Sequence, residues 1–188
     1  MATIVNIGIR RKYVKLEIDT ETRKAAFFQI NDGLPEERNE AQIGNEFSDE
    51  MYFDRACKQG VDSLLDVLHK FVKQSAIYNS DGEQADDELF DFFGPNGGVL
   101  QTIGDNKVND TPLQTNALFL VQIELDGRRN FVAKSLASMC HRFVAYHMLY
   151  RWSVMTMPEL TKTYKTQRDK AKLDIQRMIY RKEPPTLD

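Results

Sequence analysis

One proline divides the last third of the chain into two long helical patterns. Ahead of it, Val132, Leu136, Met139, Cys140, Phe143, His147 and Tyr150 recur at spacings of three and four, the period of one helix face. That pattern runs to about Met155, where Met157-Pro158 interrupts it. Pro158 suits the first turn of a following helix, because the N–H it lacks would have no partner there. The second helix should cover roughly 159–182, until Pro184-Pro185 stops it.

The front of the chain carries a different period. Residues 2–30 read as strands: Ile4–Ile9 first, then Val14, Leu16 and Ile18 alternating against Lys15 and Glu17, as in a half-buried strand. Residues 19–22 are a turn candidate, and 24–30 return as a further strand. Residues 31–46 are polar with Gly and Pro, and read as a loop. Ser48 can cap a long helix, with Asp49 and Glu50 at its positive end. Its stripe is Cys57, Val61, Leu64, Leu65, Leu68, Phe71 and Val72, and Asn79 and Gly82 should end it. A short helix at 85–93 and a long loop at 94–116 follow. Phe119, Val121, Ile123 and Leu125 alternate into Asp126-Gly127, which signals a hairpin over 117–132 with a short return at about 128–132. The expected fold is therefore α+β: a mainly helical core, an N-terminal β unit, and a β-hairpin before the last two helices. Residues 1–158 would form the body and 159–188 a basic amphipathic tail.

Composition limits the function classes. A chain of 188 residues with 41% apolar content can bury a core. No apolar run nears the roughly 20 residues that cross a bilayer, and the start lacks a signal-peptide pattern, so no membrane is expected. Cys57 and Cys140 are two isolated cysteines on helical patterns, which points to buried reduced thiols. His69, His141 and His147 lack the i, i+4 spacing of a helical zinc site, and His147 lies on an apolar stripe. The acidic run at 80–91 lacks the spaced carboxylates of a calcium loop, and GPNGG at 94–98 has no Lys-Ser/Thr after it to hold phosphate. No cofactor, metal or catalytic residue is expected; an enzyme would need a composite site built from separate segments.

Charge is uneven. Residues 161–188 carry 8 Lys/Arg against 4 Asp/Glu, a net +4 in a chain of −3, so residues 1–160 carry −7. On a helix, Tyr164, Ala171, Ile175 and Met178 fall on one narrow strip with Leu160. Lys165, Arg168 and Lys172 flank one side; Lys170, Arg177 and Arg181 flank the other. Such a strip fits a terminal helix docked on its own domain, with cations snorkelling at its edges, or a helix docked on a partner. Its thinness favours the partner, so a chain cut after Met157 is expected to stay folded. The hairpin tip, Asp126, Gly127, Arg128 and Arg129, is a second candidate contact.

The later half resembles the adaptor proteins of tailed bacteriophages, which join the portal to the tail. Ala137, Arg142-Phe143, Pro158-Glu159-Leu160, Tyr164 and Ala171 carry the resemblance, over about 130–182. It implies a non-enzymatic virion protein, a subunit of a head–tail connector assembled in the host cytoplasm. It further implies a homo-oligomeric ring of twelve, contacts to the portal and to further tail or ring proteins, and DNA only as it passes through the channel. Those adaptors usually begin with a helix, whereas this sequence opens on a strand pattern. A small regulatory or inhibitor protein binding a host or phage protein is the alternative.

Overall fold

The computed structural model describes residues 2–31, 50–79, 99–102, 113, 117–126 and 133–180. Among them are four strands and four helices: β1 (Ala2–Arg10), α1 (Arg11–Asn31), α2 (Glu50–Leu68), β2 (Val72–Asn79), β3 (Val99–Thr102), β4 (Leu118–Asp126), α3 (Ala133–Thr156) and α4 (Pro158–Tyr180). The fold is α+β and mainly helical, as expected.

The strands form one antiparallel sheet in the order β1-β4-β2-β3. Alternation fixes its two faces. Ile7 and Ile9 on β1, Ile77 on β2, and Phe119, Val121, Ile123 and Leu125 on β4 point into the main core. The opposite face is mixed. Ala76, Leu118 and Leu120 make a small buried cluster. Beside it, Gln74 Nε2 donates to Gln122 Oε1 and Gln122 Nε2 to Asn6 Oδ1, both at 3.0 Å, tying three strands together. A bulge between Val72 and Gln74 interrupts the β2–β4 register, and Lys73 there reaches Glu124 at 2.8 Å.

Three expectations change. Residues 11–31 are a helix, not two strands and a turn. Val14 and Ile18 are buried, as a strand would require, but Leu16 between them is 62% exposed. Positions i and i+4 share a face under either period, so the deciding residue was the middle one. Arg11, Val14, Ile18 and Thr22 form the inner face instead. Second, the helix from Glu50 stops at Leu68 and does not run on to Asn79. Phe71 N–H returns to Leu68 C=O at 2.8 Å, and Phe71 C=O accepts from Glu124 N–H at 2.8 Å, which starts β2 along β4. Phe71 and Val72 continued the helical spacing only by coincidence. Third, β3 lies inside the stretch read as a loop over 94–116. The hairpin expected over 117–132 is described only as far as Asp126: β1 pairs along the whole of β4 and β2 along Leu118–Ile123, and the return strand read at about 128–132 lies outside the described residues. Of the loop read over 31–46, Asn31 ends α1; the rest of it, residues 127–132, Ser48 and the short helix read at 85–93 lie outside the described residues.

Helix α3 is the hub, packed on α4, α2, α1 and β1. Leu136, Cys140, Val144, Met148, Leu149 and Trp152 are all 2% exposed or less, on more than one side of the helix. Gly60 of α2 permits its close approach: a Cβ there would sit 2.8 Å from Val144 Cγ1. The link to α4 is the single residue Met157, whose N–H bonds Ser153 C=O and whose C=O accepts from Leu160 N–H, both at 3.0 Å.

A polar joint fixes the start of α1. The Arg11 guanidinium is buried over the Phe53 ring, 5.0 Å to the centroid, and its Nε meets Asp54 Oδ1 at 2.7 Å. Asp54 Oδ2 accepts from Leu113 N–H at 2.9 Å, and Arg11 N–H donates to Ala117 C=O at 3.0 Å. One residue earlier, Arg10 N–H donates to His141 Nε2 at 2.9 Å, which puts that imidazole's proton on Nδ1. The Tyr13 ring meets His141 edge-on at 5.4 Å. The last rung of β1 is thereby tied to α3.

Candidate partner-binding face

Helix α4 has two sides with different roles. Pro158 stands at its first position and Glu159 in its first turn, where the dipole favours an acid; Arg177 stands in its last turn, where it favours a base. Its inner side buries Tyr164, Ala171, Ile175 and Ile179 against the rest of the chain. This corrects the expectation for the tail. Tyr164, Ala171 and Ile175 were assigned to a partner, and they are spent on the protein's own core; Met178 is half-buried on its margin. The described part of the tail shares one core with the sheet and α2. Ile179 extends the strip and was overlooked because the apolar residues were traced only as far as Met178.

The flanking cations divide. Arg168 is half-buried, stacks over the Tyr150 ring at 4.5 Å, and pairs with Asp169 at 2.8 Å. Arg177 is exposed and only 3.8 Å from Asp174. Lys162, Lys165, Lys170 and Lys172 are exposed, with no ion pair among the described residues. Leu173, 50% exposed, and Tyr180, 55% exposed, lie among these cations, and the sequence reading did not single them out. A search for a buried stripe passes over an apolar residue on the opposite side. Arg181, and Gly127, Arg128 and Arg129 of the second candidate contact, lie outside the described residues; Asp126 is the last residue of β4.

A cleft of about 270 Å³ opens where α2, α3 and α4 meet, lined by Ser63, Asp66, Phe143, Arg168, Asp169 and Lys172. Partial burial and the neighbouring Asp66 carboxylate push Asp62 above the usual carboxylate range. Beyond the cleft wall, His147 lies 6.2 Å from Phe143, ring to ring. Its Nδ1 is buried without a partner among the described residues, and desolvation, with Arg168 and Arg151 nearby, lowers its pKa from 6.5 to about 4. The His147 imidazole on the apolar stripe is thus neutral but not fully bonded. Thr161 Oγ1 and Tyr164 Oη on α4 are also buried without partners. Burial, then the Glu21 carboxylate, pushes the Tyr164 phenol up to about 12, and burial, with Glu21 and Glu17, does the same to Tyr146.

Cys57 and Cys140 are buried free thiols, each pushed up to about 12, chiefly by burial. Neither has the lowered pKa of a reactive thiol. Among the described residues, no three His, Cys, Asp or Glu gather as metal ligands, and no helix is long and apolar enough to cross a membrane. No protein-family model, curated protein or solved structure matches the chain.

Proposed function

We propose that this chain is a structural assembly subunit, of the kind that forms a head–tail connector ring in a tailed bacteriophage. The observation that supports this most directly is the two-sidedness of α4. Its inner side is held in the core, so the helix cannot roll to hide its outer side, where lysines without an ion pair among the described residues surround half-exposed Leu173. A fixed cationic surface with an apolar centre suits docking onto an acidic partner. The helix–proline–helix order of α3 and α4 carries the resemblance to the adaptors, now with α4 as wall as well as contact. The portal and further ring or tail proteins are the partners this reading implies.

Two measurements test it. Mass photometry should find a closed species; twelve copies of the 21.7 kDa chain weigh about 260 kDa. Density-gradient sedimentation of phage particles should carry the chain with the particles. A chain absent from particles at every salt concentration removes the virion role.

A further inference from the structure

We propose that the outer face of α4 docks the acidic, aromatic segment 81–93 of a second copy of this chain. The proposal rests on the assembly reading above and specifies the contact between copies. At 100° per residue, Lys165, Lys162, Leu173 and Lys170 occupy one arc of about 140°, with Leu173 near its middle. All four are exposed, and the three lysines have no ion pair among the described residues. Such a surface fits a ligand that offers carboxylates around apolar side chains.

The densest stretch with that chemistry is 81–93. Residues 81–91 hold six carboxylates and neither Lys nor Arg, and Leu89, Phe90, Phe92 and Phe93 lie within or just after them. The stretch lies outside the described residues, between Asn79 at the end of β2 and Val99 at the start of β3. A segment of that length tethered at both ends reaches roughly 30 Å from its anchors when extended. That is far enough to meet a neighbouring molecule. The two surfaces differ and carry opposite charge, so their contact between copies is head-to-tail. Contacts of that type close into rings when the rotation permits.

Two variants test the pairing. The first reverses the basic face with Lys162→Glu, Lys165→Glu and Lys170→Glu. The second neutralises the segment with Asp86→Asn, Asp87→Asn, Glu88→Gln and Asp91→Asn. Circular dichroism and thermal melting first establish that each is folded, which the exposure of the three lysines favours. In sedimentation velocity, the unmodified chain should associate, less so as salt rises. Each variant alone should be monomeric, and Leu173→Ser should weaken association roughly tenfold. Mixed in equal amounts, the two variants should form a one-to-one dimer that grows no further, because one compatible contact remains per pair. Association that survives either variant, or no dimer on mixing, overturns the proposal. So does an unmodified chain that stays monomeric; the particle sedimentation above judges the assembly reading independently.

Discussion

Two buried polar regions of the molecule contrast. At the joint where β1 becomes α1, charged groups are buried and bonded: Arg11 to Asp54, Asp54 to Leu113 N–H, Arg10 N–H to His141. Along the seam between α3 and α4, polar atoms on His147, Thr161 and Tyr164 are buried without partners among the described residues. The joint should therefore be intolerant of losing any member, since each loss strands another group in the interior. The seam should be tolerant at its polar atoms, which contribute no bond, and intolerant only at its apolar contacts. A sheet corner and a helix hairpin in one molecule thus rely on different physics.

The largest expected effect tests the apolar half of that contrast. Ile175→Asp puts a carboxylate where no water reaches, at a residue 0% exposed, and should abolish cooperative thermal unfolding. A chain ending at Met157 should fail likewise, because it bares α3 along its contact with α4. A folded, soluble truncation would return α4 to the role of a dispensable arm. Next, Asp54→Ala leaves the Arg11 guanidinium buried without its carboxylate. It should cost about 3–5 kcal/mol in urea unfolding. A loss below 1 kcal/mol would mean that the joint is not a structural clamp. Gly60→Ala follows, because the rigid Val144 must yield to a contact of 2.8 Å; a loss of about 1–3 kcal/mol is expected, and a gain would show that α2 and α3 can separate freely.

The seam should respond least. Tyr164→Phe removes a hydroxyl that has no partner, so stability should change by no more than about 1 kcal/mol and can rise. A loss of 2 kcal/mol or more would reveal a strong hidden partner, such as a bound water. A separate response comes in acid, where no residue is replaced. His147 titrates near 6.5 unfolded and about 4 folded, so between these values the unfolded chain holds the proton first. Stability should therefore fall as pH drops from 6.5 towards 4, and His147→Gln should flatten that slope. Identical slopes for the two proteins would place His147 in water.

Legibility followed the range over which each pattern acts. Helix α3 was readable because Leu136, Cys140 and Phe143 repeat over enough turns to exclude a strand. Val14, Leu16 and Ile18 span barely more than one turn, a length at which both periods agree at the ends. The basic side of α4 was visible as composition. So was its apolar strip, but not what covers it: Ile175 and Met178 look equally apolar in a list, and only the packing separates a fully buried one from a half-buried one. The Arg11–Asp54 pair joins residues 43 apart, and β1 finds β4 across the intervening helices and strands, Arg10 opposite Leu118.

By itself, the sequence determined the mainly helical α+β class, the break at Pro158, the two buried thiols and the uneven charge. Each of these depends on neighbours within one or two turns, or on counting. Tertiary structure alone decided that α1 is a helix, that β4 is a central strand, and that the tail belongs to the core. Each of those turns on which distant surface is available to cover an apolar face, and a face can be read locally while its cover cannot.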